Sequence, residues 1–181
     1  MAAMRNPVDP AKVERLLREL GRRALGPGRI YLAGGASALL EGWRESTVDV
    51  DLKLDPEPAG IFEAIAELKN ELDVNVELAS PDQFLPVPPD WREHSVFISR
   101  QGQVDFYHFD FRSQALAKLA RAHGRDLSDA RAMVEASLVT PEALLAAYEA
   151  IRPQLLRYPA LDAAVFEVRV RQFVREVARD D

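Results

Sequence analysis

Cysteine is absent from the 181 residues, which excludes disulfides, thiolate zinc sites and a cysteine nucleophile, and fits a reducing compartment. Long apolar runs are absent too. No stretch approaches the roughly 20 residues that a membrane span needs. The opening MAAMRNPVDPAKVERLL meets charge before an apolar core can form, so it does not read as a secretory signal. The expectation is a cytoplasmic protein with no membrane partner. Histidine is scarce: His94, His108 and His123 show no ligand spacing and read as structural or surface residues. Excess positive charge is missing as well. A net charge of −6 and a pI of about 5.2 leave no global basic field for nucleic acid, although a local patch is still open. There is neither an internal repeat nor a low-complexity tract.

What is present is an ordinary globular composition, 48% hydrophobic and 29% charged, enough to build a core and outside the disordered range. DPAKVERLLRELGRRAL (9–25) predicts a helix, with Asp9 as cap, Pro10 in the first turn and Leu16, Leu17, Leu20 and Leu25 as its apolar stripe. RIYLAG predicts a strand, and GASALLEGW a helix that starts at the glycines. TVDVDLKL alternates strictly. Val48, Val50, Leu52 and Leu54 fall on one face and Asp49, Asp51 and Lys53 on the other. A helix over 56–72 follows, then a second alternating strand, DVNVELAS. HSVFISRQGQVDFYHFDF reads as a hairpin turning at Gln101–Gly102. From Gln114 the pattern is helical, with breaks near Gly124, Thr140–Pro141 and Tyr158–Pro159.

This order predicts an α/β (α+β) fold: a mixed β-sheet with flanking helices over residues 1–111, and an all-helical C-terminal lobe over 112–181. Within that lobe Leu155, Leu156, Leu161, Val165, Phe166, Val170, Phe173 and Val177 form a stripe that reads as helix–helix core or as the face of a homodimer. Trp43, Trp91, Tyr107 and Phe109 suit core packing better than base stacking.

Two short stretches carry chemistry. Asp49 and Asp51, two residues apart on a strand, point their carboxylates to one face about 7 Å apart at the backbone. Such a pair repels itself unless a cation stands between. Mg²⁺ uses such pairs and completes its octahedron with water and phosphate; the bland reading is a wet strand face. Gly34–Gly35 is a tight strand-to-helix turn on the bland reading. On the functional one it lets backbone amides approach a phosphate, with the Ser37 hydroxyl added.

Taken together, AGGASAL and TVDVDL resemble the nucleotidyltransferase signature of the DNA polymerase beta superfamily. Ala33-Gly34-Gly35, thirteen residues, then Asp49-Val50-Asp51-Leu52 match its order, at the long end of its spacer. The chain is most similar there to the small bacterial AbiEii-like, toxin-type nucleotidyltransferases. Their Thr-x-Asp-x-Asp element corresponds to Thr47–Asp51, and their later Lys…Arg-Asp…Asp motif corresponds to Lys118, Arg121, Arg125, Asp126 and Asp129.

The resemblance covers roughly residues 28–135. It implies the nucleotidyltransferase fold, Mg²⁺ as cofactor and transfer of an NMP from an NTP to an acceptor hydroxyl. That hydroxyl belongs to an RNA 3′ end or a protein, and the enzyme is a toxin with an antitoxin partner in some relatives. It also implies Asp49, Asp51 and a third carboxylate as metal ligands, that third being Glu77 or, in competition, Asp105. Gly34, Gly35, Ser37, Thr47, Arg121, Arg125 and Asp126 would bind nucleotide, and Lys118 would neutralise its phosphates. Two other readings stand beside it: a catalytically inactive nucleotide-binding or regulatory module of the same fold, and a simple metal-dependent hydrolase, which the lack of a histidine cluster disfavours.

Overall fold

In the computed structural model, which describes residues 6–180, the Asp9 carboxylate accepts a hydrogen bond from the Lys12 amide at 2.8 Å, and Pro10 opens helix α1 (Pro10–Arg23). The helix stops two residues short of Leu25. That residue is 78% exposed and lies over Gly60, where a Cβ would stand 2.8 Å from its Cγ, so it does not belong to the α1 stripe. Next come β1 (Gly28–Ala33), α2 (Gly35–Glu41), β2 (Asp49–Leu54), α3 (Ile61–Glu71) and β3 (Asn75–Glu77).

The helix expected from residue 56 begins only at Ile61. Pro56 and Pro58 lack amide donors and restrict the residues before them, and Gly60 is left-handed with φ +74°. Val48 lies outside β2 and is 64% exposed, so the strand's buried row starts at Val50. The hairpin is β4 (Val96–Gln101) and β5 (Val104–His108), turning at Gly102 and Gln103 with Gln101 opposite Val104. That is one residue later than the sequence suggests.

The strands form one five-stranded mixed sheet in the order β3-β2-β1-β5-β4. β1 runs antiparallel to β2 and parallel to β5. β3 runs parallel to β2, and β4 antiparallel to β5. Ile30, Leu32, Val50, Leu52, Val76, Val104 and Phe106 form a buried row on one face of the sheet. They join a single core with Val13, Leu16, Leu17 and Leu20 of α1, Ala36 and Leu39 of α2, and Ile61, Ala64, Ile65 and Leu68 of α3. The hydrophobic alternation of the strands therefore consumes one face, and the intervening residues are left for the other.

The chain divides into two compact units. The first comprises the sheet and its helices, up to Ser80 and again over Ser95–His108; the second comprises Pro81–His94 and everything from Phe109. The second contains α4 (Phe111–Arg121), α5 (Asp126–Glu135), α6 (Pro141–Ile151) and α7 (Ala163–Val177). Thr140 caps α6 through the Ala143 amide at 3.1 Å, and Asp162 caps α7 through the Val165 amide at 3.1 Å. Leu155, Phe166, Val170, Phe173 and Val177 are buried, whereas Leu156 and Val165 are exposed; the C-terminal stripe is partly core. Trp91 stacks on Phe109 with ring centroids 4.4 Å apart, both buried, which is a packing role. Among the described residues no helix is long and apolar enough to cross a membrane.

Candidate active site

β1 ends at Ala33 beside Asp51, and β3 pairs Asn75 with Asp49 and Glu77 with Asp51. Residues in register on neighbouring strands share a face. Asp49, Asp51, Asn75 and Glu77 therefore stand together on the side opposite the Val50–Val76 core row. The Asn75 amide draws two of the acids together: its Nδ2 donates both to Asp49 Oδ1 and to Glu77 Oε1, with both oxygens within 3.0 Å of that one nitrogen. Asp105 lies elsewhere. It pairs with Arg29 at the start of β1, the end away from Ala33, and its carboxylate is held by Arg100 Nε at 2.7 Å and Nη2 at 3.1 Å. Of the two candidates for a third acid, Glu77 is the one that the register brings beside Asp51.

The glycine turn joins the same sheet end. Gly34 has φ +60° and ψ −132°, a conformation that only glycine adopts readily. A Cβ there would stand 3.0 Å from Asp51 Oδ2, so the backbone of the turn borders that carboxylate directly. At Gly35 a Cβ would meet Thr47 Oγ1 at 2.1 Å and Thr47 Cβ at 2.7 Å. Thr47 is itself fixed. Its backbone exchanges hydrogen bonds with Val8 at 2.8 and 3.0 Å, and its hydroxyl donates to the Asp49 carbonyl at 3.1 Å. Thr47 thus sits under the turn and leads straight into the aspartate strand.

Ser37 is fully buried. Its hydroxyl lies 3.2 Å from the Leu32 carbonyl, to which it can donate, and 2.9 Å from His108 Nδ1. His108 Nε2 in turn lies 3.0 Å from Glu41 Oε1. His108 is 3% exposed, and burial pushes its pKa down to about 4 against the pull of the nearby Glu41 carboxylate. The only sequence signal for this group was the i, i+4 spacing of Ser37 and Glu41, and Asn75 showed itself only as an outward position on its strand.

The second motif folds within the second unit. Lys118 Nζ lies 3.0 Å from Asp129 Oδ2 and 3.4 Å from Asp126 Oδ1. Arg121 grips Asp126 with Nε and Nη2, both at 2.7 Å, and the His123 amide donates to the same carboxylate at 2.9 Å. Asp126 and Asp129 are buried at 2% and 4% exposure. Burial alone would raise the Asp126 pKa, but Arg121, the His123 amide and Lys118 outweigh it and hold the group at about 2. This cluster ties α4 to α5. Arg125, at the cap position of α5, is exposed.

Among the described residues no three histidine or acidic side chains converge closely enough to hold a metal ion by themselves. The oxygen donors of Asp49 and Asp51 nonetheless fit a hard cation of the Mg²⁺ type, which takes one or two protein carboxylates and fills its other positions with water and substrate phosphate.

Comparison with protein families matches residues 12–164 to the model described as "Nucleotidyltransferase of unknown function (DUF6036)". No curated protein and no solved structure matches the chain. The matched span contains the Gly34–Gly35 turn, the Asp49–Asp51 strand, Glu77 and the α4–α5 charge cluster, and on that match the chain belongs to this family of nucleotidyltransferases.

Proposed function

We propose that the chain is a Mg²⁺-dependent nucleotidyltransferase that moves an NMP from an NTP to an acceptor hydroxyl on an RNA 3′ end or a protein, acting in the cytoplasm. The observation that carries this reading is the gathering of Asp49, Asp51 and Glu77 on one sheet face, beside a glycine turn whose backbone borders Asp51. Asp49 and Asp51 would hold the cation. When bound, it would neutralise the triphosphate and polarise the α-phosphate. At Gly34 no side chain stands between the backbone of the turn and Asp51, so that backbone could approach a phosphate; the space at Gly35 is taken by Thr47. Asn75 fixes one oxygen of Glu77, and the other, Oε2, accepts the proton of the acceptor hydroxyl. The hydroxyl oxygen bonds to the α-phosphorus, the bond to the β-phosphate oxygen breaks, and pyrophosphate departs. Such a step is driven by positioning and charge stabilisation.

An inactive nucleotide-binding module would follow if the third acid stood apart. The shared Asn75 nitrogen that links Glu77 to Asp49 supports the catalytic reading instead. A net charge of −6 favours a small acceptor footprint over an extended RNA, since each phosphate contact needs a cation.

Incubating the purified protein with Mg²⁺, each labelled NTP and either total RNA or total protein tests the reading. Label should move to one acceptor class, and Asp49→Asn and Asp51→Asn should abolish transfer while melting as the parent does. Full activity in either variant would sink it. The phosphate role that the resemblance gives Lys118, Arg121 and Arg125 has its own measure, the Mg·ATP affinity of each alanine variant. The toxin role is read from growth on induction of the parent and the Asp51→Asn variant.

A further inference from the structure

Ser37, His108 and Glu41 form a hydrogen-bonded chain along α2, the helix that the glycine turn opens, and the transfer chemistry uses none of their protons. Ser37 and Glu41 are four residues apart on α2, so they share one helix face. α2 has only seven residues, and its Gly34 cap makes no side-chain hydrogen bond. A helix this short is marginal without outside support. The one imidazole of His108 meets both ends of that face, Ser37 Oγ at 2.9 Å and Glu41 Oε1 at 3.0 Å. The ring is anchored in the sheet, because His108 pairs with Leu32 across β5 and β1.

The tie holds in either protonation state of the ring. A carboxylate only accepts, so Nε2 carries a proton toward Glu41. With the ring neutral, the single Ser37 hydroxyl proton points to Nδ1. With the ring charged, Nδ1 donates to the Ser37 oxygen and the hydroxyl proton turns to the Leu32 carbonyl at 3.2 Å. Neither state strands a buried polar group, which matters because an orphaned one costs about 1–3 kcal/mol.

We propose that His108 is a positioning residue for the nucleotide site: through Ser37 it fixes the first turn of α2, and with it the Gly34–Gly35 backbone that borders Asp51. The consequence for nucleotide binding rests on the proposed transferase reading; the consequence for the glycine backbone does not.

The two ends of the tie can be cut separately. In His108→Asn the side-chain amide reaches the Nδ1 position and keeps the Ser37 bond. In His108→Gln it reaches the Nε2 position and keeps the Glu41 bond. Ser37→Ala removes the Ser37 tie without touching the ring. The readouts are the ¹⁵N–¹H resonances of Gly34 and Gly35 in the nucleotide-free protein, Mg·ATP affinity by titration calorimetry, and the melting temperature. The expected result is that His108→Asn retains the parent glycine resonances and affinity. His108→Gln and Ser37→Ala should shift both resonances and weaken Mg·ATP by about tenfold, the loss of one hydrogen bond's worth of positioning. A purely structural histidine predicts equal effects of the Asn and Gln variants in proportion to lost melting temperature, and that outcome overturns the proposal. So do unmoved glycine resonances in Ser37→Ala. If the parent protein binds no Mg·ATP, the transferase reading fails, while the glycine resonances still decide the positioning role.

Discussion

The Cα of Gly35 faces the side chain of Thr47 so closely that a Cβ on it would stand 2.1 Å from Thr47 Oγ1 and 2.7 Å from Thr47 Cβ. Neither partner has room to yield. Thr47 is bonded through its backbone to Val8, and Gly35 opens a buried helix. Gly35→Ala should therefore cost about 1–3 kcal/mol of stability, the range of core overpacking, and lower the melting temperature accordingly. Thr47→Gly in the same chain removes both clashing atoms and should recover part of the loss. A double variant no more stable than Gly35→Ala would show that the contact is not the cause.

Asn75 donates to both Asp49 and Glu77, so Asn75→Asp exchanges a bridging donor for another negative charge. Without a cation the variant should melt lower than the parent, since two partly exposed carboxylates lose a shared donor and gain a like charge. Millimolar MgCl₂ should raise its melting temperature more than it raises the parent's, because a ligand that binds the folded state stabilises it by mass action. Differential scanning fluorimetry with and without MgCl₂ measures both. Melting curves of parent and variant that ignore MgCl₂ would remove Mg²⁺ from this face.

The sheet and its chemistry were unequally legible in the sequence. The alternation around Val50 and Leu52 is local, so it marked β2 and put Asp49 and Asp51 on the other face; extending it one step too far put Val48 on the Val50 face of the strand, whereas the strand starts only after Thr47 is bridged to Val8. The helix expected at 56 lost its first turn to Pro56, Pro58 and Gly60, where backbone restriction overrides apolar spacing. The Asn75 bridge depends on the parallel register of β2 and β3, and the Ser37–His108 bond joins residues 71 apart through the parallel register of β1 and β5. Register between parallel strands is set by the whole core, so no short stretch of sequence carries it. That is why three scattered histidines gave no hint that one of them clamps a helix.

His108 makes the fold acid-sensitive in a defined window. Its pKa falls from 6.5 in the unfolded chain to about 4 in the fold, so between those values the unfolded chain binds the extra proton. Stability should be full above pH 6.5 and fall as the pH drops toward 4, by up to about 3 kcal/mol. Urea midpoints across that range measure it. His108→Asn, which has no proton to take up, should flatten the slope between pH 6.5 and 4. An unchanged slope in that variant would assign the acid sensitivity to other groups.

Asp126 acts in a lower window. Its carboxyl, 3.8 in the unfolded chain, is held at about 2 by the Arg121 guanidinium, the His123 amide and Lys118, which together overcome its burial. A depressed acid stabilises the fold above its unfolded pKa, and that contribution disappears as the pH falls through its folded one. Between pH 3.8 and 2 the second unit should therefore lose about 2 kcal/mol. At neutral pH Asp126→Asn should lower stability as well, because Arg121 loses the carboxylate it grips with two nitrogens and the His123 amide loses a charged acceptor. Following helix content by circular dichroism during urea unfolding of parent and variant at pH 7 and pH 3 separates the two effects. The gap between them should narrow at pH 3. A gap that stays constant would mean that the charge on Asp126 is not what ties α4 to α5.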